Sequence, residues 1–134
     1  MDFVYKIDTP ITASFDSPQT TVAKLTRGRL VGGFLFFPSG PAGTLHFFIL
    51  TGVHQILPFN SGESYALDDC VVPLHFSLDL PEPPFHLDLV TWNTSTVYTH
   101  TLTVALFLDP LLKRKWKLID VINDLNPTKG YRKP

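Results

Sequence analysis

The sequence predicts an all-β chain: an antiparallel β-sandwich, jelly-roll-like, of about eight strands, with a short C-terminal helix and arm. Three observations predict it. Among 134 residues there are eleven Phe and twelve Pro but only two Glu and one Met, a mix that favours pleated strands and tight turns over helices. Apolar residues recur at every second position in several stretches, the period of a strand with one side in a core. Clusters of Pro, Gly, Asn and Ser interrupt those stretches at intervals of roughly ten residues, the spacing of a many-stranded antiparallel fold.

In chain order, the segments 3–7 and 20–26 read as short mixed strands, and residues 1–27 are considered as an N-terminal arm. The segments 29–37 and 43–51 are apolar on both sides, crowding Phe34, Phe36, Phe37, Phe47, Phe48, Ile49 and Leu50. A strand without a wet side is covered on both faces, by its own domain or by a partner. Pro38-Ser39-Gly40-Pro41-Ala42-Gly43 forms the loop between them, and Asn60-Ser61-Gly62-Glu63-Ser64 a later turn.

Alternation is clearest further on. In 70–80 the apolar side carries Cys70, Val72, Leu74, Phe76, Leu78 and Leu80, with His75, Ser77 and Asp79 opposite. In 98–108 it carries Tyr98, His100, Leu102, Val104, Leu106 and Leu108, with Thr99, Thr101 and Thr103 opposite. Between them, 85–92 places Phe85, Leu87 and Leu89 on one side and His86 and Asp88 on the other. Prolines 81, 83 and 84 and the run Asn93-Thr94-Ser95-Thr96 supply the connections, so these three segments are expected to form a meander. The core is expected from Val72, Leu74, Phe76, Leu78, Leu102, Val104, Leu106 and Leu108.

The sandwich domain is therefore set at 1–109, followed by a basic helix and tail at 110–134. Asp109-Pro110 has the sequence of a helix start, and Leu111, Leu118, Ile122 and Leu125 fall near helical spacing. Lys113, Arg114, Lys115 and Lys117 would oppose the dipole of a helix beginning there, which confines it to about 118–125 after an extended basic stretch. Charge follows the same division. Residues 1–110 hold four cations against ten acids, and residues 111–134 seven cations against two acids. Such a tail is expected to meet an acidic protein surface; it lacks the arginine density and aromatic interleaving of a nucleic-acid reader, and nucleic acid is not expected as a partner.

Composition excludes several classes. With 44% hydrophobic residues, 17% charged residues and a net charge of −1, the chain is not a disordered coil. The uncharged stretch 30–62 is broken by glycines and prolines before about 18 apolar residues accumulate, so no membrane span is expected. Met1-Asp2-Phe3 is not expected to open a secretory signal, and the single Cys70 has no partner for an intramolecular disulfide.

Chemistry is sparse. The five histidines, His46, His54, His75, His86 and His100, contain no His-x-His pair, and Glu63 and Glu82 fall in turns. A cupin-like metal-dependent enzyme is thus an alternative only if at least three histidines converge; His75 and His86 facing each other across a hairpin would supply half of such a site. His100 is expected to be buried and hydrogen-bonded. Cys70, after Asp68-Asp69, is expected to be a core residue of low reactivity. No nucleophile elbow, phosphate loop or dinucleotide fingerprint occurs, so no catalytic residue, cofactor or metal is assigned and no enzyme is expected. Trp92 and Trp116 keep a carbohydrate-binding module as the first alternative, ahead of the cupin-like enzyme, to be judged by whether their rings are exposed or buried.

The loop 38–43, the segment His54-Gln55-Ile56-Leu57-Pro58-Phe59-Asn60, and Trp92-Asn93-Thr94-Ser95-Thr96 with its threonine-rich following strand resemble in texture the small β-sandwich virion proteins of tailed bacteriophages and related viruses. The resemblance spans roughly residues 28–108 and implies a minor capsid, decoration or neck component, present in the virion and in host cytoplasm during assembly. It implies a homo-oligomer that binds a major capsid or other virion protein. The residues expected at such interfaces are Phe34, Phe36, Phe48, Lys113, Arg114, Lys115, Trp116, Lys117, Ile119 and Ile122.

Overall fold

A computed structural model describes residues 1–110. Among them lie nine strands: β1 (Asp2–Thr9), β2 (Gln19–Lys24), β3 (Gly28–Phe37), β4 (Leu45–Thr51), β5 (His54–Leu57), β6 (Cys70–Leu74), β7 (Leu78–Leu80), β8 (His86–Asn93) and β9 (His100–Asp109). All pairings are antiparallel, and they form two sheets. One is ordered β1-β9-β3-β6, with β7 also on β3; the other is β2-β8-β4-β5. The expected C-terminal helix lies outside the described residues.

The meander expected from 70–108 does not form. β6 and β7 pair with β3, β8 pairs with β2 and β4, and β9 pairs with β1 and β3. These consecutive stretches therefore cross from one sheet to the other and back. Of the pairings, only β4 with β5 joins strands that are neighbours in sequence. The expected strand 70–80 is split at His75-Phe76-Ser77: β6 runs beside Gly33–Phe37 and β7 beside Gly28–Leu30. Its break lies alongside a bulge in β3 between Leu30 and Gly32. There a side chain on Gly33 would sit 2.0 Å from the Ala105 carbonyl oxygen, so the close approach of β3 to β9 requires glycine.

Residues 1–27 are not an arm. β1 pairs along its whole length with β9, placing Ile7 in the core, and β2 pairs with β8, placing Ala23 there. The inward rows interleave Leu30, Leu35 and Phe37 of β3, Leu45, Phe47 and Ile49 of β4, Leu87 and Leu89 of β8, and Leu102, Val104, Leu106 and Leu108 of β9. Leu74 belongs to this core as expected, whereas Val72, Phe76 and Leu78 are half-buried and pack against its edge. The reason is position: β6 and β7 form the sheet's outer edge, and Phe76 lies in the break between them.

At one end of the sandwich a buried asparagine joins two connections. The Asn93 side-chain amide donates to the carbonyls of Thr9 (3.1 Å) and Tyr98 (2.8 Å), and its Oδ1 accepts from the Ser95 N–H at 2.9 Å. Its backbone N–H donates to the Ala13 carbonyl at 3.0 Å. Beside it, the buried hydroxyls of Thr9 and Thr91 bond to each other at 2.9 Å. Every polar atom of the Asn93 side chain is thus used in fixing loops 10–18 and 94–99.

Candidate interaction surface

The two sheets turn their second faces outward, and both are rich in apolar side chains. Alternation decides which ones. In β9, Leu102, Val104, Leu106 and Leu108 point inward, so Thr101, Thr103, Ala105, Phe107 and Asp109 line the outer face of the five-stranded sheet. Register then builds that face row by row. Ala105 lies between Val4 and Phe34, and Phe34 opposes Pro73. In the next row Thr103 lies between Lys6 and Phe36, and Phe36 opposes Val71. Phe107 meets Phe34 edge-on, with centroids 6.2 Å apart. Val4 is 65% exposed, Val71 60% and Phe36 40%, so this centre is open as well as apolar.

Charges border that centre at both ends. Asp2 opposes Phe107, while Arg29 lies between Asp79 and Asp109 in the last row. Arg29 Nε donates to Asp79 Oδ1 at 2.7 Å, and this hydrogen bond holds the guanidinium pKa further above its usual range. At the far end Lys6 and Asp8 line β1, and the Thr101 hydroxyl donates to Asp8 Oδ1 at 2.6 Å. An apolar centre with a polar rim is the composition of a protein–protein contact.

The outer face of the four-stranded sheet is built differently. His46 and Trp92 are opposed across β4 and β8 and stack at 4.6 Å with planes 5° apart. Phe48 and Phe15 approach the same indole edge-on at 5.7 and 5.4 Å. Phe15 comes from loop 10–18 and lies over the ring, leaving Trp92 7% exposed while Phe15 itself is 70% exposed. His46 Nδ1 lies 2.9 Å from Ser64 Oγ, and burial pushes the imidazole pKa below the ordinary histidine value.

Phe34 and Phe36 therefore fall together on one outer face, as interface residues require, and Phe48 falls on the opposite face of the molecule. Lys113, Arg114, Lys115, Trp116, Lys117, Ile119 and Ile122 lie outside the described residues. Val4, Val71, Pro73 and Phe107 were not singled out in the sequence. The signal of Val71, Pro73 and Phe107 was present as apolar residues on the supposedly polar side of 70–80 and 98–108.

The remaining candidates are dispersed. His75 is exposed between β6 and β7 of one sheet and His86 is half-buried in β8 of the other, so they do not face each other across a hairpin. His100 is half-buried at the start of β9, its ring 6.5 Å from that of Tyr98, and not enclosed as expected. Among the described residues, no group of three or more His, Cys, Asp or Glu side chains is placed to hold a metal ion. Asp68 is occupied structurally, its Oδ1 accepting from the backbone N–H groups of Gly40 and Ala42 at 3.0 and 2.9 Å. Cys70 is half-buried against the core edge. No helix of the described residues is long and apolar enough to cross a membrane. Comparisons of the chain with protein-family models, with curated proteins and with solved structures give no match.

Proposed function

We propose that this chain is a non-enzymatic structural subunit of a virion, a repeated decoration, minor capsid or neck component that binds copies of itself and a capsid protein. The observation that carries this reading is the open apolar centre of the five-stranded sheet, Val4, Phe34, Phe36, Val71 and Phe107, bordered by charge. Such a surface gains by being covered, and a subunit that repeats in a shell is covered by its neighbours.

Strand order supports the same reading. With β6 and β7 taken as one interrupted strand, eight strands remain, divided between two sheets in the order 1-8-3-6 and 2-7-4-5. We read this as the jelly roll, an architecture used by capsid subunits, lectins and cupins alike. Since the fold hosts all three, the surface has to discriminate. A sugar platform built on Trp92 would need its indole open to solvent, and Trp92 lies beneath Phe15.

Sedimentation of the full chain over a range of concentrations tests the proposal. An oligomer that Phe36→Asp dissociates, and that co-sediments with assembled capsid protein, is the expected result. A monomer at every concentration that ignores capsids would end it.

A further inference from the structure

We propose that the outer face of the five-stranded sheet is the docking surface for the extended basic stretch 113–118 of this same chain species, running antiparallel to β9. The inference gives the self-association proposed above its receiving surface, and rests on that reading only for the question of whose segment is bound.

Three features point to this occupant. The chain leaves the sheet at Asp109-Pro110, the end of a strand in the middle of this face, with 24 residues still to follow. Asp followed by Pro suits the first two positions of a reversing turn. At about 3.3 Å per residue, six extended residues span roughly 20 Å, enough to run from the acidic row to the row of Phe36. A segment entering at that end therefore needs no further chain.

Charge and apolar order match the face row by row. The exit end carries Asp2, Asp79 and Asp109 against the single Arg29. The first charged residues after Pro110 are Lys113, Arg114 and Lys115. Next on the face come the rows of Phe107, then Val4, Ala105 and Phe34, then Phe36 and Val71. Next in the sequence come Trp116, Lys117 and Leu118, so that Trp116 and Leu118 would share one side of an extended segment with Lys117 on the other. Laid antiparallel to β9 after a two-residue turn, the basic run falls beside the acidic row. Trp116 then falls near the row of Ala105, and Leu118 near the row of Phe36. The reverse orientation would bring the cations over the phenylalanines.

The contacts are the same whether the segment closes on its own body or is exchanged with a neighbour, as in a domain swap. Apolar anchors such as Trp116 would hold it, and the cations would set direction.

The test uses the full chain with a photoreactive phenylalanine analogue at position 36, which is exposed enough to accept it. An equal mixture of light and heavy isotope-labelled chains is irradiated and digested with trypsin. The expected capture is the peptide 118–129, and Trp116→Ala should cut its yield at least about tenfold with the far-ultraviolet dichroism unchanged. Capture of peptides from 1–110, an unchanged yield in Trp116→Ala, or no capture overturns the inference. The labels read the other question separately. Mixed-label products support exchange between copies, and same-label products from a chain that sediments as a monomer remove the self-association while leaving the docking in place.

Discussion

The two outer faces of this sandwich both carry apolar side chains and treat them in opposite ways. On the four-stranded sheet, loop 10–18 lays Phe15 over Trp92, and His46 and Phe48 complete the enclosure. On the five-stranded sheet, no described loop crosses Val4, Phe34, Phe36 and Val71, and three of the four are at least 40% exposed. The lesson concerns what an apolar residue on a strand's second side is for. Covered by its own chain, it extends the core by one layer and contributes to stability. Left open, it contributes little to folding and is available for recognition.

The comparison can be broken most forcefully at Trp92. Trp92→Ala removes a nearly enclosed side chain and should destabilise the fold by about 3–5 kcal/mol, measured by urea denaturation. A cost near that of a surface substitution would mean that the aromatic layer is ornamental. A smaller change is expected for Phe15→Ala, about 1 kcal/mol for the lost edge-on pair, together with a red shift of Trp92 emission read in a Trp116→Phe background. If the emission stays put, Phe15 is not the cover.

A subtler contrast comes from pH. Burial lowers the His46 pKa in the folded state. The unfolded chain therefore binds a proton first as pH falls below about 6.5, and stability present above that value declines as pH drops toward the folded pKa. Melting temperatures between pH 7.5 and 5.5 should fall more in the parent than in His46→Gln, where this contribution is absent. Equal slopes would remove His46 from the account. The smallest effect on folding belongs to the open face: Phe36→Ser should change stability by no more than about 0.5 kcal/mol while weakening association. A large loss of stability in that variant would show that the face is held closed by the fold itself.

Much of the architecture was legible in the sequence, and the failures share one cause. Period-two alternation reports which side of a strand meets the core, and it placed Leu74, Leu102, Val104, Leu106 and Leu108 inside, where they are. It is silent about neighbours across the ladder, so three well-patterned segments were joined into a meander although they alternate between sheets. The facing pair His75 and His86 fell with that error. The bulge between Leu30 and Gly32 had a local signal in the Gly32-Gly33 pair, whereas the break at Phe76 had none. At the surface, the double-sided character of 29–37 did mark Phe34 and Phe36 for the outer face. Val4 and Phe107 joined them only once register was known, since the row is assembled from positions about a hundred residues apart.

The position of β9 carries a consequence for how this protein is made. It pairs on both edges, with β1 on one side and β3 on the other, yet it is the last strand of the sandwich to be synthesised. Until the ribosome delivers it, β1 and the β9-facing edge of β3 have unsatisfied backbone groups and no partner to close on. Non-local pairing of this kind is slow to form and exposes strand edges meanwhile. Closure of the larger sheet therefore waits for residues 100–109, and a nascent chain stalled before residue 100 presents unpaired strand edges to every other copy emerging from the same polysome.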